Sequence, residues 1–185
     1  RDRSLRKPIL LVIIRYMKLY IDIDGVLLDY DSDSRADNAI ELIEYITSEF
    51  DCYWLTTHCK GDADPAIAYL SRYFPEETMQ KLAKIKPTCW EDLKTEGIDF
   101  DSNFIWLDDY PFQAEEAVLR NFGASESLIK VNLKNEDELL RVLGVLKNIK
   151  KKKRDRIKRV LYIILGLILA IVIGKAIWMN VSTCS

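Results

Sequence analysis

One histidine and four cysteines are the only imidazole and thiol ligands that 185 residues offer a metal. Cys52, Cys59, Cys89 and Cys184 include no C-x-x-C pair, and with His58 as the single imidazole a zinc site lacks ligands at suitable spacing. The thiols are expected to be free, as in a reducing compartment. Net charge is scarce too, since 27 basic against 29 acidic side chains leave a formal −2. That balance hides a division: acids gather before about Glu138, whereas Lys147 to Arg159 is almost unbroken base. Near the start, the apolar run Ile9 to Ile14 is bounded by Pro8 and Arg15 and is too short to cross a bilayer. No small-residue cleavage pattern follows it, so a secretory signal peptide is not expected. The chain opens on Arg1 and Met17 directly precedes the first strand pattern, so residues 1–16 are read as an N-terminal extension upstream of the domain, native or not.

What the chain does have is enough apolar residue, 49%, to bury one ordinary core. The stretch from Lys18 to Leu28 organises it. Leu19 to Ile23 has the β-branched and aromatic character of a buried strand, and Gly25 lets the chain turn sharply after it. Asp22 and Asp24 then sit at a strand's carboxyl end, where open parallel sheets bind ligands. Residues two apart on an extended chain point the same way, so both acids face one pocket.

Asp29 to Asp33 reads as an acidic turn, and Ala36, Ala39, Ile40, Ile43 and Ile46 give the repeat of a helix from about Arg35 to Glu49. Cys52 to Thr56 reads as a second buried strand ending in Thr56-Thr57-His58. A threonine hydroxyl there can donate to a phosphate oxygen without adding charge, and Thr56, the first polar residue after the run, is preferred over Thr57. His58, a single imidazole beside that strand, is expected to cap a loop, with helping to bind substrate as the alternative. A helix capped by Asp64 with Pro65 in its first turn, a break at Pro75 and a second helix through Met79, Leu82 and Ile85 follow. Trp90, Leu93 and Ile98 mark a short helix carrying Lys94. Phe104 to Leu107 is a third strand, closing on Asp108 and Asp109. Adjacent carboxylates are costly unless a cation or donors share them. Pro111 to Leu119 opens another helix, Ser127 to Val131 reads as a last strand, and Leu139, Leu140, Leu143 and Leu146 mark a final helix. Trp54, Trp90 and Trp106 are read as core rather than as stacking platforms. Alternating strand and helix signals predict an α/β fold with a parallel sheet covered on both faces.

The D-x-D-G-V-L run of Asp22 to Leu27, the strand closing on Thr56, and the strand closing on Asp108-Asp109 resemble, in order, motifs of the haloacid dehalogenase-like (HAD) superfamily. The resemblance covers Met17 to about Lys147 and implies a HAD-like Rossmannoid sheet in residues 17–149. It implies Asp22 as nucleophile forming an aspartyl-phosphate, and Asp24 as the acid that protonates the leaving oxygen and later activates water. Mg2+ would be held by Asp22, the Asp24 carbonyl and Asp108 or Asp109, with Thr56, Thr57 and a lysine on the phosphate. Lys94 is the preferred lysine, because it precedes the Asp108 strand through a short helical segment as in deoxyribonucleotidase-type relatives, with Lys86 and Lys84 as competitors. An acid after the fourth motif would have to be Glu115 or Glu116. Between Leu28 and Arg35 there is no room for a cap domain, and residues 60–93 hold only a helical pair as a minimal lid. An open site suits a phosphate monoester such as a nucleotide, a nucleic-acid end or a phosphoprotein. The rival expectation is a non-catalytic module that keeps the fold and docks a partner at a membrane.

Membrane attachment is expected from the tail. Residues 160–179 are apolar apart from Lys175, close to the ~20 a bilayer needs, and Lys175 can snorkel to the headgroups. The basic segment 150–159 precedes it, fitting anionic lipid and placing residues 17–149 on the cytoplasmic side, with a short tail, 180–185, beyond.

Overall fold

The computed structural model describes the backbone of residues 17–182 and the side chains of residues 17–166. It divides into two compact units, Arg1–Val145 and Leu146–Ser185. In the first, four strands form a parallel sheet: β1 (Lys18–Ile21), β4 (Asp51–Trp54), β5 (Phe104–Asp108) and β6 (Leu128–Lys130), in the order β4-β1-β5-β6. The register sets Tyr20 beside both Tyr53 and Trp106, and Leu107 beside Ile129. All five residues of β5 are buried. Because successive side chains point to opposite faces, that pattern requires cover on both sides of the sheet. This is the expected α/β architecture, Rossmann-like in its parallel order.

Helix α1 (Ala39–Glu49) buries Ala39, Leu42, Ile43 and Ile46, one stripe at helical spacing. It starts later than the expected Arg35. Ser34 and Arg35 instead form strand β3 (Ser34–Arg35), paired antiparallel with β2 (Leu28–Asp29) in a hairpin directly after the Asp22 loop. Asp29 builds its turn, accepting from the Asp31 N–H at 3.1 Å and the Ser32 hydroxyl at 2.8 Å. The helix begins only past Asn38, whose left-handed φ of 63° breaks the run.

Helices α2 (Asp64–Leu70) and α3 (Glu76–Leu82) are the expected pair, split at Pro75. Asp64 is not the cap: it is the first helical residue, and Asp62 accepts its N–H at 3.0 Å. After α3 the chain runs beside β4, with Lys86 N–H donating to Cys52 O at 3.0 Å and Trp54 N–H to Lys86 O at 2.8 Å. A 3-10 turn, Lys94–Gly97, stands where the short helix was expected. Helix α4 (Gln113–Asn121) follows β5, and α5 (Glu138–Ser182) follows β6. Leu19, Ile21, Ile23, Trp54, Leu55, Trp106 and Leu107 are fully buried, which puts the core at the centre of the sheet and makes Trp54 and Trp106 packing residues as expected.

Cys52, Cys59 and Cys89 are free thiols. Cys184, the extension 1–16 and the end of the tail at 183–185 lie outside the described residues. Among the described residues no helix is long and apolar enough to cross a membrane. From 167 onward the span expected at 160–179 lies outside those whose side chains are described.

Candidate active site

From β1 the chain passes to β4 on one side and later to β5 on the other, so β1 and β5 flank the point where the sheet order reverses. Loops leaving two such strands diverge and open a crevice at their carboxyl ends. Asp22 is the first residue beyond β1, and its N–H donates to Leu107 O at 3.1 Å, extending the ladder to the acid itself. Asp108 is the last residue of β5, fixed by Val131 N–H donating to its carbonyl at 2.9 Å. Asp22, Asp108 and Asp109 each bring a carboxylate oxygen within 4.8 Å of the others. Gly25 makes room for this. Its φ is +72°, and a Cβ there would run into the Asp109 carboxyl.

Lys94 joins the acids. Its Nζ donates to Asp22 Oδ2 and, at 2.6 Å, to Asp108 Oδ2. Asp108 is fully buried; burial first, and the Asp22 charge second, push it up to about 7 despite Lys94 beside it. Burial and Asp22 likewise raise Asp109. For Lys94, desolvation works against the ammonium, but Asp22 and Asp108 outweigh it and hold the group above the usual lysine range. The Lys94 N–H donates to Glu115 Oε1 at 2.8 Å, and Phe112 N–H donates to Glu115 Oε2 at 2.7 Å. Buried Glu115 therefore ties the Lys94 turn to the start of α4, with both oxygens occupied by backbone donors. Glu116 turns away to Lys130 and Arg120.

Asp24 is gripped from the other side. His58 Nε2 lies 2.7 Å from its Oδ2, and the Tyr69 hydroxyl donates to its Oδ1 at 3.2 Å. Desolvation and the Asp24 charge push Tyr69 up to about 12, so its hydroxyl stays protonated at neutral pH. Thr56 is fully buried and its Oγ1 accepts from the His58 N–H at 3.4 Å. Thr57, the less favoured of the pair, is the one that lines the cavity. That cavity, about 350 Å³, is also bounded by Asp22, Asp24, Lys94, Asp109, Glu115 and the rings of Tyr30, Trp90, Tyr110 and Phe112. Three of the rings, Tyr30, Tyr110 and Phe112, are largely exposed.

Asp22, Asp24, Thr57, Lys94 and Asp109 thus line one crevice, while fully buried Asp108 joins them through Lys94 and fully buried Thr56 does not reach the cavity. Lys86 is not there; it pairs with Asp51 at 2.7 Å. Lys84 is solvent-exposed. The sequence puts His58 beside the strand that closes on Thr56, as a loop cap or a substrate-binding group, and gives Tyr69 no role; their shared contact with Asp24 comes from the fold. Three carboxyl groups share one ammonium in a partly desolvated site, so the set carries excess negative charge whenever they ionise together. An all-oxygen carboxylate set with that charge fits a hard divalent cation such as Mg2+. No protein-family model, curated protein or solved structure matches the chain.

Proposed function

We propose that residues 17–149 are a divalent-metal-dependent phosphohydrolase of the HAD type, acting on phosphate monoesters. The observation that carries this reading is the meeting of Asp22, Asp108, Asp109 and Lys94 at the sheet's switch point. Such a site has to overcome like-charge repulsion, since a carboxylate nearing a phosphate dianion meets about 4 kcal/mol per charge pair at ~4 Å with an effective dielectric of roughly 20. Lys94 supplies one compensating charge from the protein. Mg2+ held by Asp22, Asp108 and Asp109, with the Asp24 carbonyl, would supply two more and polarise the phosphoryl oxygens.

Asp22 is the nucleophile. Its Ile23 N–H contact at 2.7 Å and its Lys94 contact hold the carboxylate toward the cavity. A carboxylate oxygen forms a bond to phosphorus as the ester P–O bond breaks, and the leaving oxygen takes a proton from Asp24. Water then attacks phosphorus, gives its proton to Asp24, releases phosphate and restores Asp22. Thr57 borders the phosphoryl site as a neutral hydrogen-bond donor. The open, aromatic-rimmed mouth suits a nucleotide, a nucleic-acid end or a phosphoprotein better than a small enclosed substrate. The proposal includes attachment to the cytoplasmic face of a membrane through residues 160–179, supported by the apolar run and the basic segment before it.

The test is hydrolysis of 4-nitrophenyl phosphate with Mg2+ by the native chain and by Asp22→Asn. The variant is expected to lose roughly 10³-fold or more in kcat, with acid-quenched native protein carrying phosphate on Asp22. Equal rates, or no turnover by the native chain across phosphate esters and divalent metals, would favour a non-catalytic module instead.

A further inference from the structure

We infer that His58 and Tyr69 are positioning residues that fix the Asp24 carboxylate for proton transfer, an assignment that rests on the phosphohydrolase reading. Asp24 sits on the loop after β1, where its side chain could occupy several rotamers. Two groups from separate segments remove that freedom. His58, from the loop after β4, meets Oδ2 at 2.7 Å, and Tyr69, from α2, meets Oδ1 at 3.2 Å. The two rings stack on each other with centroids 4.2 Å apart and planes 11° apart, so the groups that hold the carboxylate also hold one another.

Each ring is braced in turn. The His58 N–H contact with Thr56 and the Cys59 N–H donating to Thr56 O at 3.1 Å make a tight turn around His58. Tyr69 packs edge-on against Tyr73 at 5.6 Å, and the Arg72 guanidinium lies 5.0 Å from the Tyr69 ring centroid. Tyr73 is tied by its hydroxyl to Asp33 of the β2–β3 turn at 2.8 Å. α2 and the turn after it thus reach Asp24 and the hairpin that follows it, which gives the small helical pair a task besides covering the site.

The proton balance leaves both rings unchanged. A carboxylate oxygen has two lone pairs, so one can accept from His58 or Tyr69 while the other faces the leaving oxygen. Asp24 gives its proton to that oxygen as the ester bond breaks and regains one from the attacking water. The tautomer with its proton on Nε2 is the one that donates to Asp24, and neither that proton nor the phenol proton is transferred.

Two measurements on the full chain test this. In the first, Mg2+-supported kcat and KM are compared for 4-nitrophenyl phosphate, whose leaving group needs little protonation, and for 2-phenylethyl phosphate, whose alkoxide needs it. Because kcat/KM reports the step in which the leaving oxygen departs, whereas kcat also contains the water step common to both esters, His58→Ala and Tyr69→Phe are expected to lose about tenfold more kcat/KM on the alkyl ester than on the aryl ester, with His58→Gln partly restoring the difference. Equal losses on both esters would overturn the assignment and reduce the pair to a tether for α2. In the second, His58 is the chain's only histidine, so its ring nitrogens are assigned without ambiguity by 15N NMR. The Nε2–H tautomer is expected in the native chain, with a changed signal in Asp24→Ala, and an unchanged signal would also overturn it. Turnover that does not depend on Asp22 would remove the phosphohydrolase reading, and the catalytic role of the pair with it, while the NMR result would still report whether the clamp exists.

Discussion

Lys94 Nζ lies 2.6 Å from Asp108 Oδ2 while also donating to Asp22, so one ammonium bridges the acids that end β5 and follow β1. All three side chains are largely shielded, at 14%, 9% and 0% exposure for Lys94, Asp22 and Asp108. Desolvated charges depend on their partners far more than surface pairs do, and removing one partner leaves the other uncompensated.

Lys94→Met should therefore destabilise the metal-free protein by about 3–5 kcal/mol, read by urea denaturation in EDTA. Adding Mg2+ should recover part of the loss, because a cation can replace the missing charge between the acids. In the Lys94→Met, Asp108→Asn double variant the penalty should shrink, since no unpaired buried anion remains at Asp108. A single variant as stable as the native chain would show that the bridge contributes nothing.

Glu138 sets a pH dependence that can be read separately from the site. Its Oε1 accepts from Asn132 N–H at 2.9 Å and from Arg141 Nη2 at 2.6 Å, and its Oε2 from Arg141 Nε at 2.8 Å. The Arg141 hydrogen bond, working against desolvation, holds Glu138 below the ordinary value of 4.5. The unfolded chain then binds the extra proton first. The stabilisation is fully present above pH 4.5 and is lost as pH falls through the folded value. Glu138→Gln cannot titrate there. Its stability deficit against the native chain should be constant above that pH and close below it, as followed by chemical denaturation at a series of acid pH values.

The sheet was legible because its strands carry apolar runs: Leu19 to Ile21 and Phe104 to Leu107 are buried whichever face they meet, and in β4 and just after it Cys52, Trp54 and Leu55 are buried around a half-buried Tyr53. The acids at their ends followed from the same pattern, whereas Lys94 was preferred over Lys86 and Lys84 only through the resemblance, which implies a lysine before the strand that closes on Asp108. The β2–β3 hairpin was not legible, because two-residue strands show no alternation, and its Arg35 was read into the helix that begins at Ala39. The choice of Thr56 over Thr57 failed to anticipate burial: the first polar residue after an apolar run is still inside, and the next one reaches the cavity. His58 and Tyr69 stand 34 and 45 residues from Asp24, a separation at which no local spacing predicts contact. Glu115 was considered as a metal-site acid, yet its position three residues past Phe112 makes it a helix-capping group that serves Lys94 from behind.

Residues 155–185 contain most of the basic-plus-apolar tail on which the membrane proposal rests. Deleting them should move the protein from the membrane pellet to the supernatant after fractionation and flotation. A truncated chain that still floats with vesicles would remove the tail as the anchor and leave the crevice around Asp22 untouched.

Gly25→Ala tests the packing that lets Asp109 approach the other two acids. At φ +72° the backbone is in the left-handed region, where a Cβ is strained, and the added carbon would collide with the Asp109 carboxyl group rather than with the flexible end of a long side chain. The expected cost is about 1–3 kcal/mol. Displacing Asp109 would also pull one carboxylate out of the set that includes Asp22 and Asp108, so Mg2+ should raise the melting temperature of the variant less than that of the native chain. Thermal unfolding with and without Mg2+ separates the two effects: the strain lowers both curves, and the lost ligand narrows the gap between them. An undiminished gap would mean that Asp109 is not among the proposed metal ligands, leaving Asp22 and Asp108 as the candidates.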